Sequence, residues 1–115
     1  MNKTESVNIR FQKCDVYCGR GKGGNIPSEI GIYGWLGNPI KLNTNCNICG
    51  KIHEKGGDTL NCYEIYLRKK IKESIEWKEM FIKSCLNKKL GCFCKPRPCH
   101  TDIMIKVLNE IIQEN

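Results

Sequence analysis

No apolar run in this 115-residue chain approaches the roughly 18 to 20 residues of a membrane span. The polar start Met1-Asn2-Lys3-Thr4-Glu5 also lacks the apolar stretch of a secretion signal. Insertion in a membrane and export are thereby set aside, and the expectation is a cytoplasmic chain with no membrane partner. Alanine is absent, whereas there are fifteen Ile and eleven Asn, a bias of coding composition that carries no functional information. Repeats, heptads, low-complexity tracts, a helix-turn-helix and a periodic basic stripe are all missing. Acidic residues are few, 12 against 19 Lys and Arg, and the resulting net charge of +7 suits an anionic partner. A site in which three thiolates and a neutral His hold Zn²⁺ would lower that charge by one.

The size allows one domain, residues 1–115, and makes two independently folded ones unexpected. Ser6 to Phe11 alternates apolar and polar residues as a half-buried strand does, and Asp15 to Gly19 reads as a second strand. From Gly19 to Gly37 seven of nineteen residues are Gly, which marks a long irregular loop. Asp58 or Thr59 can cap a helix whose inward face is Leu60, Tyr63, Tyr66, Leu67 and Ile71. Ser74 can cap a second, carrying Trp77, Met80, Phe81 and Cys85. Leu90 to Cys94 reads as a strand, Lys95 to Pro98 as a turn, and Thr101 to Gln113 as a last helix built on Met104, Val107, Leu108 and Ile111. The expected fold is therefore a small α/β domain, a short sheet covered by about three helices.

Nine Cys in a chain expected to stay in the cell point to metal or chemistry rather than to disulfides. Cys46, Cys49, His53 and Cys62 follow the spacing Cys-x2-Cys-x3-His-x8-Cys. Two Cys separated by two residues and followed by Gly form a tight knuckle in which both sulfurs face one ion, and the His and third Cys complete a tetrahedron. A closed shell of this kind leaves no place for water, so the zinc would be structural. Residues 44–62 would form a zinc-knuckle insertion pinned to the start of the first helix.

A second cluster runs from Cys92 to Asp102. Cys92 and Cys94 share one face of a strand, and Cys99 and His100 open the next helix. Cys94, Lys95, Arg97, Cys99, His100 and Asp102 would face the crevice outside the carboxyl ends of the strands, where α/β domains hold ligands. Three readings stay open: a second zinc site from Cys92 or Cys94 with Cys99 and His100; a pocket for a phosphorylated small molecule; or a packed turn with Cys92 and Cys99 buried and His100 an exposed cap. Cys85 reads as core, and Cys14 and Cys18 as buried rather than ligating.

Tyr17-Cys18-Gly19-Arg20, Gly37-Asn38-Pro39, Cys62-Tyr63-x-x-Tyr66-Leu67 and Leu90-Gly91-Cys92-Phe93-Cys94-Lys95-Pro96-x-Pro98-Cys99-His100-x-Asp102 occur in one order along the chain. In this the chain resembles a small domain family of unknown function, number 4326, found widely in phages and bacteria. The resemblance covers roughly residues 6 to 110. It implies that the Cys46 to His53 knuckle is an optional stabiliser and that the Gly-Arg, Gly-Asn-Pro and Cys-His elements are the functional ones. For a phage-encoded chain the location would be the host cytoplasm.

The function expected from these readings is a zinc-stabilised domain that binds a phosphorylated nucleotide-like ligand, for sequestration or sensing. Arg20, Asn38, Lys95, Arg97 and His100 would line the pocket, the Arg forks matching phosphate, and a homodimer could complete it. Two alternatives use the same chain differently. In a hydrolase or transferase acting on a nucleoside or nucleotide, Cys99 would be the nucleophile or His100 the acid/base, with Asp102 orienting and Arg20 holding phosphate. In a nucleic-acid-binding zinc protein, Lys and Arg would contact the backbone.

Overall fold

Three short strands, β1 (Glu5–Asn8), β2 (Val16–Tyr17) and β3 (Lys89–Cys92), form an all-parallel sheet in the order β1-β3-β2. The structure is a computed structural model that describes residues 2–19, 29–93 and 99–114. Glu5 lies opposite Lys89 and Asn8 opposite Cys92 on one side of β3, and Val16 lies opposite Leu90 on the other. β1 stops three residues short of the alternating pattern because the Asn8 side chain accepts from Arg10 N at 2.9 Å and the Asn8 carbonyl accepts from Phe11 N and Gln12 N. An Asx turn thus replaces the last expected ladder bonds.

β1 and β2 are joined by only seven residues, 9–15, yet run parallel with β3 between them. The connection leaves the carboxyl end, with Ile9 N bonded to Cys92 O. It returns to the amino end, where Asp15 N meets Lys89 O and Asp15 Oδ2 accepts from Lys89 N. It therefore crosses one face of β3 at close range. A Cβ on Gly91 would lie 2.6 Å from both Cys14 Sγ and Ile9 Cγ2, so no larger residue fits beneath the crossing. Val7, in register with Gly91, is buried on that same face.

The other face carries Ser6, Leu90 and Cys92, and packs on α3 (His100–Glu114). Ser6 Oγ and Thr101 Oγ1 are 2.6 Å apart, and Cys92 Sγ lies 3.9 Å from the same Thr101 hydroxyl. Buried Met104, Val107, Leu108 and Ile111 follow the predicted stripe of α3, each worth about 1.5–3 kcal/mol of apolar burial. A 3₁₀ turn (Gly56–Thr59) leads into α1 (Leu60–Glu73), which packs on both α3 and α2 (Ile75–Cys85). Ser74 caps α2 as expected, its Oγ accepting from Trp77 N at 3.1 Å. Tyr63, Leu67, Trp77, Phe81, Cys85 and Leu90 join the α3 stripe in one core. The fold is the single α/β domain that the sequence indicates.

Candidate metal centre and the carboxyl ends of the strands

The loop after Ile40 folds back on itself through an Asn45–Ile52 bridge and the bonds Cys46 N to Lys51 O and Gly50 N to Cys46 O, both 2.9 Å. Gly50 takes φ 75° at this turn, a conformation that Cβ-bearing residues enter at a cost. Backbone N–H groups then point at sulfur, Ile48 N to Cys46 Sγ and Lys51 N to Cys49 Sγ, each at 3.4 Å. His53 is fixed by its carbonyl, which accepts from Asn43 N at 2.7 Å, and Cys62 sits in the first turn of α1.

The ligand atoms of Cys46, Cys49, His53 and Cys62 all lie within 4.8 Å of one another, close enough to hold a metal ion. A tetrahedral ion with ordinary Zn–S and Zn–N bonds sets its ligands about 3.6–3.8 Å apart. Cys49 Sγ and His53 Nε2 are 3.5 Å apart, so the donor set fits such an ion. Cys46, His53 and Cys62 are buried, and only Cys49 reaches solvent. The N–H groups of Cys49 and Ile48 draw the Cys46 thiol down to about 6, the thiolate form that a metal takes. Burial foremost, and the neighbouring thiols next, push Cys62 up to about 12, so its proton must leave when an ion binds.

A second convergence lies outside the carboxyl ends of the strands. His100 Nε2 is 2.6 Å from the carbonyl oxygen of Cys18, which directly follows β2. Because a carbonyl only accepts, Nε2 carries the proton, and in the neutral ring Nδ1 accepts from Cys99 Sγ at 3.6 Å. The His100 ring meets Tyr63 edge-on at 5.1 Å. A Cβ on Gly37 would be 3.0 Å from the Gly19 carbonyl oxygen, so the two glycine elements touch through bare backbone. Asn38 Oδ1 accepts from Ile40 N at 2.9 Å and its Nδ2 donates to Thr59 Oγ1 at 3.0 Å, joining this loop to the start of α1. Asp102 Oδ2 accepts from Cys99 N at 3.1 Å, half of a capping box at the head of α3.

These contacts bring together the elements that are spread through the sequence. The chain belongs to the family described as a domain of unknown function (DUF4326). The match spans residues 1–110, so both the knuckle and the three converging elements lie inside the DUF4326 region. No curated protein and no solved structure matches the chain.

Of the residues that the sequence singles out, Cys46, Cys49, His53 and Cys62 come together as expected. Asn38, Cys99, His100 and Asp102 share the region at the strand ends, with Cys99 bonded to His100 and Asp102, and Asn38 bonded to Ile40 and Thr59. Cys99 is 1% and His100 8% exposed. His100 is thus not the exposed cap of the packed-turn reading, because its bond to Cys18 draws the ring inward. Among the described residues, Cys92, Cys99 and His100 do not gather into a metal-binding set. Cys92 faces Ser6 and Thr101 instead. Arg20, Cys94, Lys95 and Arg97 lie outside the described residues. Cys18 and Cys85 are buried, whereas Cys14, in the crossing over Gly91, is only partly so. Thr59 and Tyr63 are structural partners of the site that sequence offered only as a helix cap and a core residue.

Proposed function

We propose that this DUF4326 chain is a zinc-stabilised module that binds a phosphorylated, nucleotide-like ligand outside the carboxyl ends of its strands. The observation that carries the reading is the junction of Cys18-Gly19, Gly37-Asn38 and Cys99-His100 at that end of a parallel sheet, where strand ends and a helix N-terminus favour anions. In the sequence Arg20 directly follows Gly19, and Lys95 and Arg97 fall between Phe93 and Cys99, which supports the reading. His100 and Asn38 hold the junction together. Three thiolates with one imidazole suit zinc, and a closed set gives the ion a structural task.

Holding the ligand is favoured over converting it, because Cys99 and His100 are buried and bonded to each other and to the backbone. Sequestration or sensing fits a domain of this size, with a homodimer completing the pocket. The test is a melting-temperature screen against nucleoside mono-, di- and triphosphates. A true ligand at a hundred times its Kd stabilises by about 2.7 kcal/mol, and Arg20→Ala should abolish that shift while leaving the unliganded melting temperature within a degree or two. A wild type that responds to no nucleotide overturns the reading.

A further inference from the structure

Aromatic rings are rarely left in water, yet Phe11 is 81%, Tyr33 63% and Phe93 51% exposed. The three gather around Tyr17, whose register with Gly91 puts it on the sheet face opposite α3. Tyr17 and Tyr33 stack with centroids 5.2 Å apart and planes 20° from parallel, and Phe93 meets Tyr17 edge-on at 6.1 Å. Phe11, Tyr17 and Tyr33 line an open hollow of about 640 Å³; among the described residues that line it Lys13 is the charged one, and none is acidic. The Arg10 guanidinium stands 5.7 Å from the centre of the Phe93 ring. Exposed ring faces are thus interleaved with cations on one surface.

We propose that this surface is a stacking platform for the unpaired bases of single-stranded nucleic acid. Every base presents a π-face that can extend the Tyr17–Tyr33 stack from the exposed side of Tyr33 or settle on Phe11. Arg10 and Lys13 can neutralise the phosphates between stacked bases. A duplex hides its base faces, so it lacks what these rings offer. A protein partner would find cations where interface centres are depleted of charge other than Arg. The platform borders the junction, since a Cβ on Gly19 would meet the Tyr17 ring, and the two readings are separated by their variants: Phe11→Ala and Tyr33→Ala address the platform, Arg20→Ala the nucleotide site.

The test is fluorescence anisotropy of the metal-loaded protein with labelled oligothymidylate and oligouridylate of about ten nucleotides at about 50 mM salt. Binding is expected to weaken as salt rises. Tyr33→Ala and Phe11→Ala should each weaken it by about 5- to 100-fold with melting temperature and metal content unchanged. Arg10→Ala should weaken it and flatten the salt dependence. Three results overturn the proposal: no binding by the wild type, full affinity in the Phe11→Ala/Tyr33→Ala double variant, or a wild-type dimer that the same double variant dissolves.

Discussion

The side chain of His100 closes on the carbonyl of Cys18 at 2.6 Å, across 82 residues of chain. That one bond ties the head of α3 to the end of β2, with the Cys99 thiol behind it and the Tyr63 ring at its edge. Replacing His100 by Ala strands a buried carbonyl and opens a hole in the core, which together cost about 2–4 kcal/mol. Denaturant unfolding of the metal-loaded protein should show that loss with an unchanged m-value. A loss below about 0.5 kcal/mol, the range of an exposed substitution, would mean that the ring does not hold the junction.

Gly91→Ala should destabilise because the added methyl collides with Cys14 and Ile9 in the crossing segment. Overpacking of this kind costs about 1–3 kcal/mol. Cys14→Gly removes the nearest sulfur and its Cβ, so the double variant should recover part of the loss. A double-mutant cycle reads that recovery as coupling of about 0.5 kcal/mol or more, and strict additivity would place the crossing elsewhere.

The knuckle was legible from sequence because its ligands lie close together in the chain and their spacing is itself the geometry. The three helices were legible too, since Met104, Val107, Leu108 and Ile111 repeat at helical intervals that burial follows. The strands were located but drawn too long: Asn8 ends β1 with its own side chain, and only Val16 and Tyr17 pair in β2. Strand order was not legible, because it depends on a seven-residue crossing for which the only local sign is the missing side chain at Gly91. The burial of His100 was equally hidden, because it is set by a partner far away in sequence.

Thiol reactivity should sort by burial. Burial pushes Cys85 up to about 12 and Cys18 well above its ordinary range, so both remain protonated as well as shielded between about pH 7 and 9. Iodoacetamide labelling read by mass spectrometry should therefore mark half-exposed Cys14 ahead of Cys18, Cys85 and Cys99. Chelation should add Cys49 to the labelled set, and raising pH within that window should not add Cys18 or Cys85. Labelling of Cys85 as fast as Cys14 in the folded protein would contradict this order.

Cys49→Ser should lower the melting temperature and make it indifferent to chelator, whereas the wild type should lose stability when chelator is added. The binding energy of a closed site is folding energy, so the two losses should be similar in size. A wild type that melts identically with and without chelator would show that the four ligands do not bind an ion.

Native mass spectrometry of gently purified protein is the most direct test of a metal-stabilised, nucleotide-holding domain. The account predicts a 13.2 kDa chain carrying one zinc, lost in Cys49→Ser, together with a phosphorylated nucleotide-sized adduct that Arg20→Ala no longer retains. A folded wild-type chain at its bare mass, with neither metal nor adduct, would contradict it.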